Sequence, residues 1–178
     1  MTCWPSVDRQ REFFDRLVPD QVDTRADRRT FEWLVDQIRD GSRQAAPREL
    51  IHLLSLARDA QLERLERGEA EPPGELLLSP EALRDALPEV SRARLEQTIF
   101  AEYPDSRSFL LALDQQRTDQ TLKTLAGIWQ VDKNTAIVIA TSLVELGVFE
   151  QRGTRTNPSY WVPFLYQSAL GMVQDPAE

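Results

Sequence analysis

The chain is short of the residues on which most protein chemistry is built. It holds one histidine, His52, and one cysteine, Cys3. No Ser-His-Asp or Cys-His arrangement can therefore choose between two bases, no internal disulfide can close, and no thiolate-rich metal framework exists. A lone cysteine with no cation spaced to lower its pKa is not expected to be reactive, and it suits a reducing compartment. Positive charge is also scarce: 21 Lys and Arg stand against 29 Asp and Glu, a net charge of −8. That balance disfavours unspecific attraction to nucleic acid or anionic lipid, so a basic site would have to be local. No run approaches the roughly 18 apolar residues of a membrane span, and TCWPSVDRQRE after Met1 lacks the basic start and apolar core of a signal peptide. A cytoplasmic protein without membrane contact is expected.

Phosphate chemistry is missing its usual parts as well. None of the seven glycines, Gly41, Gly68, Gly74, Gly127, Gly147, Gly153 and Gly171, stands in a G-x-x-x-x-G-K-[ST] loop, and no apolar strand ends in an acidic pair that would hold Mg²⁺. Glu69, Glu71 and Glu75 lack the Asp/Asn/Gly pattern of a calcium loop. ATP hydrolysis by this chain alone is not expected on these grounds, and neither is a cofactor or metal. His52 reads as a packed or hydrogen-bonded residue of a helix.

What is present is helix. Hydrophobic residues make up 41% of the chain, enough for a core at this length. Val7, Phe13, Phe14, Leu17 and Val18 form a first short helical pattern closed by Pro19. Thr30 is placed to cap FEWLVDQIRDG, with Gly41 ending that helix. Pro47 opens the longest helix, through APRELIHLLSLARDAQL and the charged LERGE, and EAEPPGE then forms an exposed loop. Ser79 caps a helix that Pro88 should stop. A second runs from about Ser91 to Pro104, a shorter one covers SFLLALDQQ, and the polar RTDQ marks a boundary.

The last third changes character. Thr121 starts a short helix, TLKTLAGIWQV, and Asp132 caps one from Lys133 to Gly147. VFEQR and SYWVP alternate about the turn GTRTNP, the signal of an antiparallel hairpin, and FLYQSALGMVQ is an apolar tail that packs back or pairs with another chain. Two helices and a hairpin make a winged helix-turn-helix. Its candidates for DNA contact are Lys123, Lys133, Asn134, Thr135, Arg152 and Arg155, few in cations for a reader of phosphates. The aromatic residues Tyr160, Trp161, Phe164 and Tyr166 are the candidates for a protein interface.

Taken in order, FEWLVDQIRDG, APRELIHLLSLARDAQL, SPEALRDALPEVSRARLE and ELGVFEQRGTRTNPSYWVPFLYQSALGMVQ resemble the C-terminal part of a bacterial family of P-loop ATPases related to the STAND and AAA-like regulators. The likeness covers residues 4–174. It implies a helical lid that follows a nucleotide-binding core, and a winged helix that packs on the lid and contacts partners. Pro47-Arg48 matches the sensor-2 position of such proteins, which makes Arg48 a nucleotide-sensing candidate if a separate core supplies the phosphates. The expected fold is mainly α, a helical lid-like bundle at residues 1–116 followed by a winged helix-turn-helix with a small β-hairpin wing at 117–178. The expected function is a non-catalytic regulatory or assembly module. Its partner would be another protein, a P-loop ATPase core or a second copy, and the competing reading is a dimeric DNA-binding regulator.

Overall fold

The computed structural model describes residues 6–24, 27–154 and 156–173. Cys3 and Arg155 lie outside them. The described chain is mainly helical, with one small antiparallel sheet, and contains no helix long and apolar enough to cross a membrane.

Helix α1 (Val7–Leu17) is capped by Ser6, whose hydroxyl accepts from the amide of Arg9, and none of its residues is fully buried. It is held from its flanks: Phe14 meets the edge of Phe31 with 5.6 Å between ring centroids, and Arg16 pairs with Glu75. Helix α2 (Thr30–Gln37) departs from expectation at both ends. Thr30 is its first residue rather than its cap, buried with its hydroxyl donating to the Pro19 carbonyl. The N-cap is Arg29, whose own amide is satisfied by the Glu32 carboxylate. Gly41 does not end the helix, whose last residue is Gln37 and whose C-cap is Ile38.

Helix α3 (Pro47–Glu66) buries Glu49, Leu53, Ala57 and Gln61, a strict i,i+4 ladder along one face. It packs along α4 (Pro80–Arg94), and the buried Gln61 accepts from the Ser79 amide at 2.9 Å, fastening the start of α4. Pro88 does not stop α4. The helix runs through it and continues as a π-helical turn, Leu95–Phe100. Pro88 lies on the exposed side, where water can satisfy a carbonyl that loses its helical partner. Meanwhile Leu83, Ala86, Val90, Leu95 and Ile99 go on burying the other side, which offsets the roughly 3 kcal/mol of an interior proline. A 3-10 turn, Pro104–Ser106, leads into the short α5 (Arg107–Leu111).

The segment read as a boundary, RTDQ, supplies a strand. Asp119–Thr121 is β1, and it pairs antiparallel with β3 (Asn157–Trp161), which also pairs with β2 (Glu150–Thr154), giving the order β1-β3-β2. Only the β2–β3 hairpin carried an alternating pattern long enough to be read. Between β1 and β2 lie α6 (Leu122–Trp129), capped by Thr121, and α7 (Lys133–Glu145), capped by Asp132. The tail turns back as α8 (Phe164–Gln167), burying Leu165, Tyr166 and Leu170. Val173 then bridges to Arg117.

One hydrophobic cluster runs through the helices and the sheet. An aromatic chain crosses it: Phe109 meets Trp129 at 5.8 Å, Trp129 stacks on Phe149 at 6.4 Å, and Phe149 meets Tyr160 at 5.9 Å. The α2–α3 loop is locked to the α7–β2 turn by backbone alone. The Gly41 amide donates to the Gly147 carbonyl at 2.6 Å, and a Cβ on Gly41 would lie 2.5 Å from the carbonyl carbon of Phe149. Gly41 is therefore a packing glycine. Gly41→Ala is expected to lower stability by about 2–3 kcal/mol, because neither backbone segment can yield cheaply. Urea unfolding measures this, and an unchanged midpoint would show that the two segments are not tightly joined.

Candidate functional site

Two surfaces gather most of the residues that the sequence singles out, and a buried cluster lies beside them. The first surface is the outward side of α7. Ala136, Ala140 and Leu143 turn into the core, so the helical period leaves Lys133, Asn134, Thr135, Ile137, Val138, Thr141, Ser142 and Glu145 exposed. At the middle of this face Val138 is 69% and Ile137 38% exposed. The charged residues sit at its two ends, and neither Lys133 nor Glu145 has an ion pair or a side-chain hydrogen bond among the described residues.

The first turn of α7, where a phosphate would meet free amides, is already occupied. Asp132 accepts from the amides of Asn134 at 2.8 Å and Thr135 at 3.2 Å, and from the Thr135 hydroxyl at 2.5 Å. The Thr135 hydroxyl, then the two amides, hold the Asp132 carboxyl below its ordinary pKa, so a fixed negative charge stands at this end. Of the remaining DNA-contact candidates, Lys123 is exposed on α6 without a partner among the described residues. Arg152 is engaged elsewhere.

That engagement belongs to the second surface, an open cleft of about 500 Å³ between α2, the α2–α3 loop and the sheet. The register places Glu150 opposite Trp161, and strand alternation puts Arg152 on the same side. Glu150 accepts from Arg152 at 3.1 Å and from Arg43 at 2.8 Å, while the Arg152 guanidinium lies 4.0 Å from the Trp161 ring centroid, a cation–π contact. Arg43 is aimed by its turn. The Asp40 carboxylate accepts from the amides of Ser42 and Gln44, and Arg43 itself takes a left-handed backbone, φ 63°. Across the cleft Asp36 is shared by Arg28 and by Arg39 at 3.1 Å.

The aromatic candidates divide between this cleft and the core. Trp161 is half-buried and Phe164 exposed, meeting edge-on at 5.3 Å. Tyr160 and Tyr166 are buried core residues, which removes them from any surface. The alternation that turns Trp161 outward necessarily turns Tyr160 in.

Arg48, the nucleotide-sensing candidate, is exposed at the start of α3 and makes no ion pair among the described residues. It borders a recess of about 20 Å³ that His52, half-buried, also lines. Beneath lies a buried cluster that sequence reasoning missed. Glu49 accepts from Arg94 at 3.1 Å, and the Tyr166 hydroxyl lies in the field of Arg94, although it makes no hydrogen bond of good geometry. Burial pushes the Tyr166 hydroxyl above its ordinary pKa. The signal was available: Glu49 opens the ladder that continues at Leu53, Ala57 and Gln61, so its carboxylate had to face inward. Among the described residues no group of three His, Cys, Asp or Glu stands close enough to hold a metal.

No protein-family model, no curated protein and no solved structure matches the chain.

Glu150 carries the pH dependence of this region. Burial raises its pKa, but the hydrogen bonds and charges of Arg152 and Arg43 outweigh it, and the net shift is downward. A depressed carboxylate stabilises the fold above its unfolded pKa and loses that contribution as pH falls through its folded pKa. Glu150→Gln is therefore expected to lower stability by about 1–2 kcal/mol near neutral pH. The deficit should hold down to the ordinary glutamate pKa of about 4.3 and shrink below it. Thermal unfolding of both proteins across pH checks this, and a deficit that grows on acidification would contradict it.

Proposed function

We propose that residues 117–173 form a winged helix-turn-helix, with α6 and α7 as its helices and β2–β3 as its wing, and that the chain is a non-catalytic assembly or regulatory module acting through protein contacts. The preceding helices are the lid-like part, in keeping with the resemblance to the C-terminal region of STAND and AAA-like ATPases. The nucleotide core, if one is engaged, comes from a separate polypeptide or another part of a longer one. In that setting Arg48 is the residue that would reach its phosphates.

The observation that carries this reading is the outward side of α7. A DNA-reading helix presents cations and amides to phosphates and base edges. This one centres on Ile137 and Val138, with a single cation at one end. The wing adds little charge to spare, because Arg152 is held by Glu150 and Trp161. The Trp161, Phe164 and Arg152 group has the composition of protein-binding anchors. The competing reading, a DNA-binding dimer, draws its support from Lys123 and Lys133, both exposed and both without a partner among the described residues.

Titration with labelled duplex at about 50 and about 200 mM salt separates the two, since each phosphate contact adds to the salt slope. No saturable binding is expected at the higher salt, and none that depends on Lys123 and Lys133. Binding that falls steeply with salt and disappears in Lys123→Glu with Lys133→Glu would overturn the protein-contact reading.

A further inference from the structure

The arrangement of charge on α7 names the kind of partner. We infer that the outward face of α7 pairs with the same face of a second copy of the chain, antiparallel, about a two-fold axis; the inference rests on the protein-contact reading above.

Lys133 and Glu145 are twelve residues apart and are the two charged residues of this exposed face, so at 1.5 Å per residue they stand about 18 Å apart along the helix, with residue 139 midway. A two-fold axis through that midpoint, perpendicular to the helix, carries Lys133 of each copy to the height of Glu145 of the other. At about 100° per residue the two also fall on the same lateral side after rotation, and the axis forms two ion pairs at once. A parallel arrangement would set Lys133 beside Lys133 and Glu145 beside Glu145. Asp132 also stands at the Lys133 end, but its carboxylate is engaged by the first turn and lies nine residues, about 180°, from Thr141. Lys133 and Glu145 therefore set the match, and the face is complementary to itself in the antiparallel orientation, the property an isologous interface requires.

The shapes between the charges agree. Thr141 lies near the centre line of the face, and Ile137 and Val138 flank that line one turn earlier. The two-fold brings Thr141 of one copy to the height of Ile137 of the other, next to Val138, so a smaller side chain meets two larger apolar ones. Nothing on the helix competes for the charges, since neither Lys133 nor Glu145 has a partner among the described residues. Pairing there also hides the exposed Val138 and Ile137 and leaves no room for duplex DNA against α7.

Sedimentation equilibrium on the whole chain tests this. A single helix pair is a small interface, so association is sought over about 10 to 500 µM, where the mass should rise from 20.4 kDa toward twice that value. Lys133→Glu alone and Glu145→Lys alone each create two like-charge contacts and should weaken association about ten-fold or more. An equal mixture of the two variants restores both ion pairs and should recover the dimer. Circular dichroism melts of the variants show that each is folded, since both positions are exposed. A wild-type chain monomeric throughout the range overturns the inference, as does a dimer that the single variants leave unchanged or a mixture that fails to recover. If the chain is monomeric and also ignores duplex DNA, the second copy is excluded while the protein-contact reading stands. Steep, lysine-dependent DNA binding removes both.

Discussion

The constraint on which the surface chemistry depends is a contact between two stretches of bare backbone. Gly41 comes so close to Phe149 and Gly147 that no side chain fits between them, and its amide closes the contact on the Gly147 carbonyl. Through it the α2–α3 loop is fixed relative to the end of α7 and the start of β2. Arg43 can then reach Glu150 from a part of the sequence more than a hundred residues away, and the cleft has two walls. Without that approach Arg43 would be left unpaired on the loop and Glu150 would keep Arg152 alone.

Charge in this protein is mostly consumed internally. Glu150 and Asp36 each hold two guanidinium groups, Glu49 holds Arg94 beneath the surface, and Asp132 spends its carboxylate on the start of α7. A cation tied in this way offers little to a phosphate, because the existing pair must be broken first. Arg48, Lys123 and the two charges of the outward side of α7 are not tied in this way among the described residues. On α7 the two stand at opposite ends of a stretch that is otherwise neutral, so that helix, rather than the arginine cleft, offers free charge to a partner.

Much of this architecture was legible in the sequence, and the failures have physical causes. Asp132 before Lys133, and the apolar period through Ala136, Ala140 and Leu143, give both the cap and the buried side of α7. Pro47 and Ser79 likewise mark real helix starts. Pro88 misleads because a proline on the wet side of a well-buried helix is outvoted by the packing of the opposite side. Asp119–Thr121 is too short and polar to announce a strand, and pairs because β3 offers it an edge. The role of Gly41 depends on a neighbour far along the chain, which no local pattern reveals. In the cleft, the four aromatic residues were grouped together as interface candidates although the alternation of SYWVP already opposes Trp161 to the buried Tyr160, and the grip of Glu150 on Arg152 and Arg43 required the register.

If α7 meets protein with the side that a DNA reader would turn to bases, amide chemical shifts of the isotopically labelled chain should report it, followed on dilution and on addition of duplex DNA to the same sample. Concentration-dependent shifts confined to the exposed positions between Lys133 and Glu145 are expected, with no shifts there on adding duplex. Shifts at Lys123, Lys133 and Arg152 on adding duplex, with none on dilution, would show that this side of the protein reads DNA.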